Sequence, residues 1–250
     1  MSLFAKTGAG VFVCSSALFL LGCFSSSSSD SGNEARADVS PNGIWRGDFF
    51  EDGIGPFDVD AIIYEGRIYA ISVVGQAIYA GTYSMDGDQL RGSATNFIIG
   101  GPPFAFSDLS ATVQPRNRVN STAENTFFDG STSTSIIDLS YDDLYERPVS
   151  LSVLSGNYQA TNLNLVISID GNGGVFGQDG DGCVINGSVD VPEESRNIYT
   201  VDLTIESCSV AGNYQGLGYQ ADALTAGDNN SLQLVFNSSE FIFFIPMIRQ

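Results

Sequence analysis

The side chains that run most enzyme chemistry are thinly represented in this 250-residue chain. It contains no histidine. That removes Ser-His-Asp and Cys-His nucleophile activation, His-ligated zinc and imidazole acid–base work. An enzyme built from this chain would have to run on carboxylates, tyrosines or arginines. The 29 acidic residues allow the paired carboxylates of a glycoside hydrolase, but that pairing is spatial, and no spacing in the sequence selects a pair. The glycine-rich turns with Asp170, Asn172, Asp179 and Asp181 set oxygen ligands at alternating positions, as calcium requires. Counted as an EF-hand loop, however, the sixth position is Val175 rather than glycine and the twelfth is not Glu. They read instead as Asp/Gly hairpin turns. Glu51, Asp52, Asp58 and Asp60 form a weaker group of the same kind. No catalytic residue, metal ligand or cofactor is assigned.

The chain has four cysteines, and two lie near its start. Lys6 precedes an apolar run from Val11 to Leu21, short for a bilayer span, and small residues follow. This is the pattern of a secretory signal peptide. It ends in Leu20-Leu21-Gly22-Cys23, which resembles the lipobox of bacterial prolipoproteins. The resemblance implies cleavage before Cys23, a diacylglyceryl thioether on its sulfur and, because Phe24 rather than Asp follows, delivery to the outer membrane. Several acyl chains on one residue make a stable anchor, at about 0.8 kcal/mol per buried methylene. A plain signal peptide with an incidental cysteine is the alternative. Phe24 to Ser40, rich in serine and without apolar periodicity, reads as a tether.

Cys183 and Cys208 remain. In an exported protein a single remaining pair invites a disulfide. The flanking strands constrain it. Ile185, Val189 and Val191 share one face, and Tyr199, Val201, Leu203 and Ile205 share another. These positions are all odd, so facing partners such as Val189 and Val201, or Ile185 and Ile205, have an even sum. Cys183 and Cys208 have an odd one. An unbroken ladder would put their sulfurs on opposite faces, so a bulge or strand end is expected near Ser207.

From Cys23 onward the only lysine, Lys6, is gone. Nine arginines then face 29 acids, a net charge of −20. Such a surface repels nucleic acid and anionic lipid, since phosphate binding needs Lys/Arg clusters.

Beyond the tether the chain alternates with period two between Gly, Asn and Asp turns, and no sustained 3.6 period appears. The expected fold class is all-β, with two tandem antiparallel modules of about eight strands each, closed as barrels or packed as sandwiches. The expected organisation is a signal peptide at 1–22, a tether at 23–41, a first β module at 42–141, a linker with a short helical turn after Pro148 at 142–155, and a second module at 156–250. The stretch "IIGGPPFAF" is expected to be loop, because its prolines cannot join a central ladder. The modules open alike, with an aromatic two residues after a glycine: Trp45 in "NGIWRGDF" and Tyr158 in "SGNYQATN". The first resembles the Gly-x-Trp opening of lipocalins and related calycin barrels. That resemblance implies an aromatic plugging one barrel end and marks Trp45 and Tyr158 as candidate ligand-cavity aromatics. Tyr214, Tyr219, Phe241, Phe243 and Phe244 read chiefly as core.

The pattern from Asp170 to Tyr219, with "YERPVSLSVLSGNY" ahead of it, resembles a group of proteobacterial lipoproteins without an assigned activity. It implies an anchor and a fold type but no mechanism. The functional expectation is therefore a non-catalytic binding or envelope-assembly module. It would sit on the outer membrane through Cys23 and take an envelope protein as partner. A calycin-like carrier of a small apolar ligand is the alternative, and a carboxylate hydrolase trails.

Overall fold

The computed structural model describes residues 37–51 and 54–250. Cys14, Cys23, most of the tether and Asp52 lie outside the described residues.

Strands β1 (Gly43–Glu51), β2 (Ile54–Tyr64), β3 (Arg67–Ser72), β4 (Ala77–Asp86), β5 (Gln89–Ile98), β6 (Pro103–Gln114), β7 (Arg118–Phe127) and β8 (Thr132–Asp142) pair in sequence order. β8 returns to β1, closing barrel 1. Its inward side chains alternate along each strand and include Trp45, Phe49, Tyr79 and many small alanines. β9 (Gly156–Ala160), β10 (Leu165–Ile169), β11 (Gly174–Asp179), β12 (Val184–Asp190), β13 (Tyr199–Glu206), β14 (Gly212–Ala221), β15 (Ser231–Asn237) and β16 (Ile242–Arg249) close barrel 2, with β9 between β10 and β16. Closure removes the exposed strand edges a sandwich would keep, which decides between the two architectures left open by strand counting.

Some boundaries differ from the pattern reading. β6 begins at Pro103, inside the stretch expected to be loop. Proline is tolerated as the first residue of a strand, and the register slips there between Asn96 and Phe97. β7 starts at Arg118, with Val119 and the small Ser121 facing inward ahead of Ala123. Close strand crossing needs glycine at Gly47, where a Cβ would lie 1.8 Å from the Asp138 carbonyl oxygen.

The disulfide forms as the parity argument requires. Val189 faces Val201, Ile185 faces Ile205, and β13 ends at Glu206. Ser207 then adopts a left-handed φ of 66°, moving Cys208 onto the face it shares with Cys183. Their Cα atoms are 5.0 Å apart and the sulfurs are bonded.

Between the barrels, Asp143–Glu146 forms a 3-10 turn and Leu151–Leu154 a single helical turn, α1. The Ser150 hydroxyl, not Pro148, caps α1 by accepting from the Val153 N–H. The connector is no loose linker. Leu144 and Tyr145 are buried in an apolar seam with Ile44, Ile62, Tyr69, Ile71, Ile78 and Phe97 from the outside of barrel 1 and Ile198, Leu217, Tyr219, Val235 and Ile242 from barrel 2. Burial of each such side chain stabilises by about 1.5–3 kcal/mol, so the seam joins the barrels through a shared apolar cluster.

Candidate functional site

Trp45 and Tyr158 are fully buried. The Trp45 indole N–H donates to the Pro41 carbonyl at 3.0 Å, and its ring meets Tyr141 edge-on. The Tyr158 hydroxyl donates to the Leu154 carbonyl at 2.6 Å and accepts from Arg249, whose guanidinium lies over the Tyr158 ring. Both aromatics plug barrel ends. Neither lines the surface cleft, the barrel mouth or the interior voids described next.

The interiors are filled. Barrel 1 retains about 40 Å³ of space among Ala61, Ile63, Leu90 and Leu139, and barrel 2 about 10 Å³. Pockets for small ligands usually run about 300–1,000 Å³. A larger recess of about 180 Å³ opens at the barrel 2 mouth beside Cys183, between Leu165, Ile205, Phe236 and Phe243.

Barrel 1 also holds a polar chain on its inner wall. Asn96, Ser107, Asn125 and Ser135 are all buried. Asn96 donates to the Ser107 hydroxyl at 2.7 Å, Ser107 donates to Asn125 Oδ1 at 2.6 Å, and Asn125 Nδ2 donates to Ser135 and Ser133 at 2.7 and 3.0 Å. Ser133 in turn donates to Glu51. Every link is satisfied, as buried polar groups must be. No periodicity signals it, because small polar residues at inward positions look like solvent-facing ones.

The expected acidic turns are spent on their own backbones. Asp170 Oδ1 accepts from the N–H groups of Asn172 and Gly174, and Asp179 Oδ1 from those of Asp181 and Cys183. Asp60 lies beside Arg46 on the outer wall, and burial raises its pKa above the ordinary carboxylate value. Of the described residues, those both polar and buried are serines, asparagines and Gln220; three carboxylates, Asp142, Asp143 and Asp222, gather instead in a surface recess of about 440 Å³, where Arg46 pairs with Asp142 and Arg147 with Asp222. The aromatics late in the chain divide by strand parity. Tyr214 and Phe243 pack within barrel 2, whereas Tyr219 and Phe244 pack in the seam.

A cleft of about 780 Å³ runs along the outside of the seam. β3 and β4 form one wall with Arg67, Tyr69 and Thr82. β12 to β15 form the other with Ser188, Asp202, Thr204, Asn213, Gln215 and Asn237. These are the outward members of alternating strands, so the pleat itself presents them. At the floor the Tyr69 hydroxyl donates to Asn237 Oδ1 at 2.7 Å and lies 3.1 Å from the Gln215 carbonyl oxygen. Burial pushes the Tyr69 pKa up to about 12, so this hydroxyl keeps its proton. On the opposite wall, between neighbouring β13 and β14, Gln215 donates to Asp202 and Thr204 donates to Asn213, and Asn213 and Gln215 are exposed. The result is a wall of mixed donors and acceptors with one cation. Such a wall can hydrogen-bond a polar surface.

No protein-family model matches the chain, and a search of curated proteins finds no match.

Proposed function

We propose that this protein is a non-catalytic binding module of the outer membrane, anchored through lipid on Cys23, which engages a polar segment of an envelope partner in the cleft between its barrels. The observation that carries this reading is the placement of space. Both barrel interiors are packed with side chains, while a cleft of about 780 Å³ lies outside them at the junction of the two barrels, where binding sites commonly form. The rigid seam supports recognition without rearrangement. Arg67 supplies the attractive charge toward a carboxylate or phosphate on the partner, and the amides and hydroxyls of β13 and β14 supply hydrogen bonds.

The carrier reading draws on the recess of about 180 Å³ beside Cys183, which is smaller than such ligands usually occupy.

The test is native pull-down from detergent-solubilised membranes, followed by mass spectrometry for proteins and small molecules. Wild type should retain a partner that Arg67→Glu releases. Recovery of the wild-type protein alone and ligand-free refutes the proposal, and a partner held equally by Arg67→Glu removes the cleft from it.

A further inference from the structure

In an up-and-down barrel the odd-to-even hairpins all reach one end and the even-to-odd hairpins the other. Barrel 1 has opposite chemistry at its two ends. Its exposed large hydrophobic residues are Phe50 and Ile54 beside the β1–β2 turn, Val73 and Val74 in the β3–β4 turn, Ile98 and Phe106 flanking the β5–β6 turn, and Phe128 and Ile136 around the β7–β8 turn. All eight lie at or near the same end, and each of its four hairpins contributes. Phe106 and Phe128 touch, with ring centroids 5.2 Å apart, and Phe50 lies opposite Ile136 on the neighbouring strand. The other end turns through Glu65-Gly66, Gly87-Asp88 and Arg116-Asn117, with no exposed large hydrophobic residue among the described ones. Scattered exposed apolar residues are ordinary, but segregation to one end marks an interaction surface.

We propose that this apolar end of barrel 1 seats on the lipid surface of the membrane, at the level where headgroups meet acyl chains. Three observations choose lipid over a protein groove or a second copy. First, the up-and-down topology brings four hairpins bearing exposed apolar side chains to one end of the barrel, a breadth suited to a lipid interface. Second, those hairpins carry no lysine or arginine, so contact would be apolar and would need no anionic lipid. Their described acids are engaged locally, Glu51 with Ser133 and Asp129 with the Ser131 N–H and hydroxyl, and this keeps the end shallow. Third, the connection reaches. The described chain begins at the polar end, where Asp38 and Val39 bond Gly87. The fourteen residues from Cys23 to Arg36 extend at most about 50 Å, whereas a tilted ten-residue strand stands roughly 25 Å tall. An acylated Cys23 and the apolar end can therefore share one leaflet. Only this reach rests on the anchored reading; the apolar contact does not.

The experiment uses the mature chain with Cys23→Ser, which no acyl group can hold to lipid, floated with vesicles of zwitterionic phosphatidylcholine and phosphatidylethanolamine. The protein should float, and 0.5 M NaCl should leave the floating fraction unchanged. Phe106→Asp with Phe128→Asp should cut lipid affinity at least tenfold. Phe176→Asp, at a residue equally exposed on barrel 2, should not. Near-ultraviolet circular dichroism confirms that each variant is folded. The inference is overturned if the protein stays unbound at all lipid concentrations, if salt releases it, or if the double substitution leaves flotation intact. A dimer in sedimentation equilibrium that the double substitution dissociates, without flotation, assigns the end to a second copy and likewise overturns it. Failure of the anchored reading shows separately, as wild-type protein whose Cys23 carries no lipid by mass spectrometry.

Discussion

Reduction of the Cys183–Cys208 bond is the perturbation with the most direct magnitude. The two residues are 25 apart in sequence. In the chain-entropy account, a cross-link over that length lowers the entropy of the unfolded chain enough to contribute about 3.5 kcal/mol at 25 °C. Oxidised and reduced wild type have the same side chains apart from two hydrogens, so the comparison avoids a cavity from substitution. Guanidinium unfolding followed by circular dichroism should show the midpoint falling by that free energy divided by the slope. If the apolar seam makes both barrels unfold as one body, Tm should fall by roughly 7–14 °C in a single transition. If barrel 2 unfolds alone, the shift should be larger and a second, unmoved transition should report barrel 1. Stability lost by less than about 1 kcal/mol would refute the entropic reasoning. Two independent transitions would refute the claim that the seam binds the barrels into one cooperative unit.

Three further outcomes follow from the geometry. Asn125→Ala removes the acceptor of Ser107 and the donor to Ser135 inside barrel 1. At about 1–3 kcal/mol per buried group left unpaired, it should cost about 2–4 kcal/mol in denaturant unfolding. All ten tyrosines have pKa values raised chiefly by burial. A raised folded pKa favours the protonated, folded state below the unfolded value near 10 and loses that benefit as pH climbs toward the folded value. Stability should therefore fall above pH 10, and tyrosinate absorbance at 295 nm should rise together with unfolding. Asp222 has a depressed pKa, mainly because Arg147 donates to both its oxygens at 2.6 and 2.8 Å. Its contribution is present above the unfolded carboxylate value near 4 and fades as pH falls below it. Asp222→Asn should flatten that part of the acid limb while costing no more than about 1 kcal/mol at neutral pH, since the pair is partly solvated.

The strand content was legible because period-two alternation is imposed by the pleat wherever one face is buried. The strand-end device at Ser207 was legible for a related reason. Side-chain parity is a strict property of a ladder, so an odd sum at Cys183 and Cys208 leaves no other route to a bond. The reading of the chain start rests on a resemblance at Leu20 to Cys23, outside the described residues. The cleft was not. Arg67, Asp202, Asn213 and Gln215 occupy outward strand positions like dozens of others, and nothing local says that two convex walls will meet beside them.

Local chemistry therefore determined the elements: how many strands, which residues face inward on most of them, where turns fall, and that the two late cysteines need a break in the ladder. Tertiary structure alone decided closure into barrels, the filling of their interiors by Trp45, Tyr158 and their neighbours, and the joining of the barrels through Tyr69, Tyr145 and Tyr219. It also gathered the exposed apolar residues of barrel 1 at one end. The physical reason is that burial of an outward-facing side chain depends on what packs against the sheet from far along the chain. Ile62 and Ile136 each alternate outward on their strands, and only the position of barrel 2 leaves the first dry and the second exposed.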